Sequence, residues 1–527
     1  MAKKRYLIVY FAIITISSQP LLLWFWYYWQ LVEGFNFYFY VFLPLIFIFG
    51  AIILILSAIL TSKVFLLVAN LFHKPKEGVF ERNKSDKDYC YWSLRGVIRK
   101  WPTWLARQLN LPILENLALR VLGIKVSFSS ALHEGWVDCE FIEIGKNVRL
   151  GQGSLIMSNI LVKDKLIIKK VIIKENVIIG AHSVISPGTL IESNTTVDAI
   201  SMTSINQHLK ADSIYSGAPV KQVALNEPLT ETHIEKLEEN VFQQIEEEEL
   251  PEIRLEGEIK ELSVPFHIYV FSGWWIIGGS FIIPAFLFIF FVYEFLLNTL
   301  FSNPFNLNSL LNLENLILMG VAPILIVSFY LLHLFFVALF TKWFYRIADL
   351  RGPAEGVFDR NLDDTSKALD YYHWRSFLLK YPVFAVIRSP FPWLITWELN
   401  FIGSNDIGLG TVFEEGYIHS HINFGKDCYY GTFAHITNHL VDGVYGEENL
   451  TFYGARIGDN CIFNALIGGL PGLEIEKDAT FLPMASTVKY DKMGKGGVYA
   501  GFPARKLTDD QLERILGGES LDEPENE

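Results

Sequence analysis

Apolar residues recur every six positions in two long stretches of this chain. In one they are Ile173, Ile179, Ile185, Ile191 and Val197, preceded in the same step by Ile144, Leu150 and Ile156. In the other they are Ile418, Phe424, Tyr430 and Ile436, then, after an interruption, Ile457, Phe463, Gly469, Ile475, Phe481 and Thr487. Neither a helical period nor a two-residue alternation produces this step. It predicts short parallel strands stacked as coils, with the repeated residue facing inward and glycine, asparagine or aspartate at the corners. Small or apolar residues four positions on, such as Val177, Ser183 and Thr189, or Cys428, Ala434 and Cys461, are expected to face inward as well. Two of the four cysteines therefore fall at interior positions. With Cys90 and Cys139 they show no zinc or disulfide spacing and read as buried free thiols.

The rest of the apolar content, part of a hydrophobic fraction of 51%, is concentrated in blocks. No lysine or arginine occurs between Arg5 and Lys63, a run that holds two helices of about twenty residues each, enough for a hydrocarbon core. They are expected over 6–29 and 38–60, joined by a tight hairpin. The run is too long for a cleavable signal peptide and lacks a small-residue cleavage site. A second cation-free run between Lys260 and Lys342 holds two more, expected over 267–297 and 316–340, with Trp274, Trp275 and Trp343 as interfacial aromatics. All cationic residues then fall on one side, which predicts an integral membrane protein of the cell membrane with four spans and with both termini and the soluble regions in the cytoplasm. His267 and His333 lie in or beside spans.

The two halves align at an offset of about 280 residues. Glu77-Gly78-Val79-Phe80 answers Glu355-Gly356-Val357-Phe358, Glu134-Gly135-Trp136 answers Glu415-Gly416-Tyr417, and Gly217-Ala218-Pro219 answers Gly501-Phe502-Pro503. The fold class expected is membrane α plus all-β, a tandem duplication of two transmembrane helices followed by a parallel β-helix. The units run 1–62 (first helix pair), 63–130 (linking region), 131–225 (first coil, degenerate), 226–262 (acidic linker), 263–345 (second pair), 346–410 (linking region), 411–507 (second coil, candidate catalytic) and 508–527 (acidic tail). In the first linking region Trp101, Trp104, Arg99, Lys100 and Arg107 fit either an amphipathic helix at the membrane surface or a helix packed on the coil. The formal charge of −13 argues against a nucleic-acid partner.

The six-residue rhythm and the closing phrases Gly217-Ala218-Pro219 and Gly501-Phe502-Pro503-Ala504-Arg505 resemble the hexapeptide-repeat acyltransferases, whose coils are left-handed parallel β-helices. Spans combined with tandem coils are similar, more narrowly, to the C-terminal membrane region of ε-poly-L-lysine synthetase and related non-ribosomal peptide synthetase-like proteins. The resemblance implies left-handed coils and transfer of an activated acyl or aminoacyl group from coenzyme A, or from the phosphopantetheine thioester of a carrier protein, to an amine or hydroxyl. With the soluble sequence occupied by coils and linkers, a separate adenylation or carrier protein is the expected source of donor. Many relatives trimerise, so a homo-oligomer is a further candidate partner.

Catalytic groups are expected on an excursion from the coil, and the second coil has one at about 437–456. In the broad family a histidine on such a loop takes the acceptor's proton. Imidazole suits that transfer near neutral pH, and a carboxylate can fix its tautomer. His439-Leu440 with Asp442 also looks like the His-Leu and nearby acid of the synthetase-like proteins. His439 is the candidate base, Asp442 its orienter and His435 the alternative base. Asn438, His419, His421, Tyr445 and Arg505 are candidate substrate-binding residues. His419 and His421 alternate and are expected to point the same way. The alternatives to catalysis are that the four histidines form a divalent metal site or serve structure alone; no metal is assigned. Met157 and Leu161 are taken as the first-copy counterparts of His435 and His439, which leaves the first coil a scaffold, or a docking surface where Lys163, Lys165, Lys169 and Lys170 meet donor phosphates. The competing function is a non-catalytic membrane scaffold or export component.

Overall fold

The computed structural model describes residues 5–227, 266–359, 367–442 and 449–517. Among the described residues four helices are long and apolar enough to cross a membrane: α1 (Tyr6–Val32), α2 (Phe37–Phe72), α5 (Phe266–Leu300) and α6 (Leu313–Arg351). On α2 only 22% of the most apolar window is buried, so the protein itself does not cover this face. Two helices exceed their expected ends. Lys63 does not stop α2, because Val64, Phe65 and Leu66 continue its apolar run; it ends at His73, before Lys74-Pro75. The α6 helix likewise runs past 340 to Arg351.

The linking helices α3 (Lys87–Gln108) and α4 (Pro112–Leu122) follow the first pair, and α7 (Lys367–Ile387) and α8 (Ile395–Ile402) follow the second. The first linking helix touches both the apolar layer and the first coil, with Arg99 Nη1 2.7 Å from Glu140. Trp101 Nε1 donates to Ser17 Oγ in the interior of α1 at 3.1 Å, and Trp374 Nε1 repeats the contact on Ser272 of α5 at 3.1 Å. The helical layers of the two halves meet as well: Tyr10 Oη donates to the Pro390 carbonyl at 2.7 Å and Gln19 Nε2 to that of Met319 at 3.0 Å.

Each soluble region is a coil with three faces, one parallel sheet per face. One turn takes 18 residues, as in the pairing of Ile178 with Thr196. Ile173, Ile179, Ile185, Ile191 and Val197 are all buried, as are Val177, Ser183, Thr189, Thr195 and Ser201. The same holds for Phe424, Tyr430, Ile436, Phe463 and Phe481, and for Cys428 and Cys461, which are free thiols. Corners carry left-handed asparagines: Asn147, Asn176 and Asn194 bond in a ladder of 3.1 Å steps that Asp212 ends at 2.9 Å. Where turns touch, only glycine fits. A Cβ on Gly180 would lie 2.3 Å from the Ala199 backbone nitrogen.

Each coil is interrupted once by an antiparallel hairpin, Asn159–Val162 with Lys165–Ile168 and His439–Asp442 with Asn449–Phe452. The repeated Glu-Gly-Val-Phe phrase supplies the third strand: Gly78–Glu81 pairs with Lys165–Ile168, and Gly356–Asp359 with Asn449–Phe452. The two glutamates act alike, Glu77 accepting from Lys170 N at 2.9 Å and Glu355 from Gly454 N at 3.0 Å. Element order thus repeats across the halves: helix pair, strand, linking helices, coil with hairpin.

Candidate functional site

The three-stranded face of the second coil sets the site. Its register brings Tyr417, His435 and Gly468 side by side, while Ile418, Ile436 and Gly469 take the inward positions. Gly468 puts no side chain beside the imidazole of His435. His419 continues outward from the strand Tyr417–Ile418, and the hairpin strand beginning at His439 leaves the coil against it. The rings of His419 and His435 are 5.4 Å apart and those of His419 and His439 4.9 Å. From α7, Tyr372 meets His439 edge-on at 5.8 Å and Phe384 stacks on Tyr417 at 5.3 Å.

The hydrogen bonds of Asn438 orient His439. Asn438 is buried, and its amide nitrogen donates to the Ser420 carbonyl at 2.8 Å and to Ser420 Oγ at 3.1 Å. Its oxygen therefore faces His439 Nδ1, at 2.9 Å. This network assigns the proton to Nδ1 and leaves the Nε2 lone pair unprotonated. Burial holds all three imidazoles below their ordinary range. His419 falls to about 3, by burial first and then by the charges of His439, His435 and Lys380. His439 is lowered by burial and then by His435, His373 and Lys380, and His435 by burial. The cluster is thus neutral at pH 7, the form a proton acceptor requires.

His421 departs from the expectation that it points with His419. It occupies a corner with φ of 61°, where strand alternation fails, and turns toward the end of α6: its Nε2 lies 3.6 Å from Asp349 Oδ1, which also takes Arg375 Nη1 at 2.8 Å. Arg505 is exposed on the terminal antiparallel pair of the six-stranded face, a different face from the histidines. The Asp442 side chain and Tyr445 lie outside the described residues. Among the described residues no group of three or more His, Cys, Asp or Glu is arranged to hold a metal ion. Tyr372, Lys380 and Thr437 were missed from sequence. Only contact across the coil reveals the first two, whereas Thr437, whose Oγ accepts from His439 N at 3.2 Å, was next to the histidine.

The first-copy counterparts also shift. Trp136 pairs with Leu155 as Tyr417 pairs with His435, and Asn159 opens its hairpin as His439 opens the other. Leu155 and Asn159, rather than Met157 and Leu161, therefore stand at the histidine positions, and Asp138 stands where His419 does. Asp138 Oδ2 accepts from Asn159 Nδ2 at 2.6 Å and from Ser158 N at 2.9 Å. Of the four lysines, Lys165 pairs with Glu81 and Lys170 with Glu143 at 2.9 Å.

No protein-family model matches the sequence, and no curated protein matches it. Solved structures similar to parts of it include acetyltransferases and an N-acyltransferase. A maltose O-acetyltransferase from Clostridium difficile 630 is 19% identical over 22% of this chain and 76% of its own, with a TM-score of 0.18. A hexapeptide-repeat-containing acetyltransferase from Vibrio cholerae, solved with acetyl coenzyme A, is 18% identical over 28% of this chain and 93% of its own, with a TM-score of 0.22. An N-acyltransferase from Bacillus cereus, solved with dTDP-4-amino-4,6-dideoxyglucose and coenzyme A, is 23% identical over 23% of this chain and 68% of its own, with a TM-score of 0.17.

Proposed function

We propose that the chain is a membrane-embedded acyltransferase whose second coil joins an activated acyl or aminoacyl group to an amine or hydroxyl. The observation that carries this reading is the bond between His439 Nδ1 and Asn438 Oδ1 at 2.9 Å, which fixes a neutral imidazole with Nε2 available as base. The acceptor nitrogen or oxygen attacks the thioester carbonyl carbon as its proton passes to His439 Nε2. The carbon–sulfur bond then breaks and the thiolate recovers that proton, giving amide or ester and free thiol. His419 and His435 border the acceptor, with Tyr417 and Tyr372 as apolar walls.

In this reading the coils are left-handed, the halves descend from a tandem duplication, and the chain is akin to the membrane region of ε-poly-L-lysine synthetase. The donor is acyl coenzyme A or a carrier-bound phosphopantetheine thioester, supplied in the latter case by a separate adenylation and carrier pair. The four apolar helices cross the cell membrane and place both coils on its cytoplasmic side. The test exchanges His439 for alanine in purified protein and follows thioester consumption with an amine acceptor. Loss of turnover with an unchanged fold supports the reading; an unchanged rate removes it.

A further inference from the structure

A large cavity lies away from the histidines. It has a volume of about 1310 Å³ and lies between the first coil, α3 and the second coil. Asp138, the counterpart of His419, stands in its wall with Trp136 beside it; α3 contributes Trp92 and the second coil Tyr429.

Charge around this cavity is unevenly satisfied. Arg99 Nη1 lies 2.7 Å from Glu140, Lys100 lies 3.4 Å from Glu414, and Arg82 donates to the Asp427 carbonyl at 2.7 Å. Lys84 and Lys163 are exposed at the rim. Asp138 differs: both hydrogen bonds given above come from neutral donors, and among the described residues no cation stands within ion-pair distance of it. Burial, the largest influence on its carboxyl, raises it to about 6, so it is ionised at pH 7 without a counter-charge. A half-buried carboxylate of this kind gains from a cation that arrives with a ligand, and the faces of indole and phenol rings attract the same charge.

We propose that this inter-coil cavity is a second ligand site, one that takes a molecule bearing a protonated amine, with the Asp138 carboxylate as counter-charge and the rings of Trp92 and Tyr429 as walls; the Trp136 ring already carries the Arg107 guanidinium at 4.9 Å. The site uses none of the histidines and stands whether or not His439 is the base. It gives the first coil a binding role of its own.

The experiment titrates full-length protein in detergent with benzylamine and with benzyl alcohol, its neutral counterpart, by calorimetry at pH 7.5. Wild type is expected to bind the amine more tightly than the alcohol by about tenfold or more. Asp138→Asn, checked for unchanged circular dichroism, loses that preference, and Trp92→Leu weakens both ligands. The preference also shrinks at pH 5, where Asp138 takes up a proton. Equal binding of amine and alcohol by wild type, no measurable binding of the amine, or a preference that survives in Asp138→Asn would each overturn the proposal.

Discussion

Asn464 of the second coil holds Leu161 of the first from both sides, its amide nitrogen donating to the Leu161 carbonyl at 3.0 Å and its amide oxygen accepting from the Leu161 N–H at 3.3 Å. One side chain thus replaces a strand rung for the hairpin that leaves the first coil, and Lys163 N adds a bond to Thr480 Oγ1 at 3.1 Å. Ile160, Val162 and Ile167 of that hairpin bury themselves with Leu482 and Val498 of the second coil. The excursion of the first coil is therefore the joint between the two.

Replacing Asn464 by leucine removes both bonds and leaves the Leu161 N–H and carbonyl buried without partners, at a cost of about 2–4 kcal/mol. Thermal unfolding is expected to begin earlier. Limited proteolysis should cut near residue 163 before the helical layer is affected. An unchanged unfolding profile would mean that the apolar contacts alone make the joint.

Asn438 acts on the rate through His439. If its oxygen fixes the tautomer, Asn438→Leu lowers kcat and leaves KM near its original value, while His439→Ala costs about 10²- to 10⁴-fold. Burial holds the His439 imidazole below its ordinary range, so the acid limb of the pH–rate profile should lie below that of an ordinary histidine and the rate should be flat through pH 7. Asn438→Asp places a carboxylate on Nδ1, favours the imidazolium and moves the acid limb upward. A limb that does not move in Asn438→Asp would remove Asn438 as the positioning residue.

The same desolvation makes a statement about stability. The His419 value falls from 6.5 to about 3 on folding, so the unfolded chain binds the proton more readily. The stabilisation is present above pH 6.5 and is lost as pH drops toward 3. His419→Phe keeps the ring and removes the proton site, so its midpoint of chemical unfolding should fall less steeply with acid than that of wild type. Parallel curves for the two proteins would show that His419 is as accessible to protons in the fold as outside it.

The coils were legible because every six-residue anchor makes its own local argument: Ile179, Ile185 and Ile191 are buried by the turn directly above and below. The third strand that each hairpin gains was not, since its pairing partner lies far off in sequence, as with Gly78 and Ile168. The alignment of copies misled because its offset is not constant: Glu77 and Glu355 lie 278 residues apart but Leu155 and His435 lie 280 apart, so the first-copy counterparts slid by two. His421 was misread for a local reason, a left-handed corner where alternation was assumed. Asp138 was passed over because an isolated aspartate carries no pattern, and its meaning comes from standing where the other coil has His419.

Glu398 is the clearest case of a group whose removal should help the fold. It is fully buried on α8, within the helix whose Ile395 and Leu399 join the core under the second coil, and neither carboxyl oxygen has a hydrogen-bond partner. Burial raises its carboxyl well above the ordinary range, so the folded protein keeps the proton that the unfolded chain releases. Its contribution is most favourable at low pH and is lost as pH rises toward the folded value. Glu398→Gln retains the shape without the charge, and Glu398→Leu also removes the unpaired polar atoms. Both variants are expected to match wild type at pH 5 and to exceed it increasingly at higher pH, with leucine the more stable of the two. If either variant unfolds earlier than wild type at every pH, the carboxyl has a partner in solution, and a water-filled path to α8 would be the place to look for it.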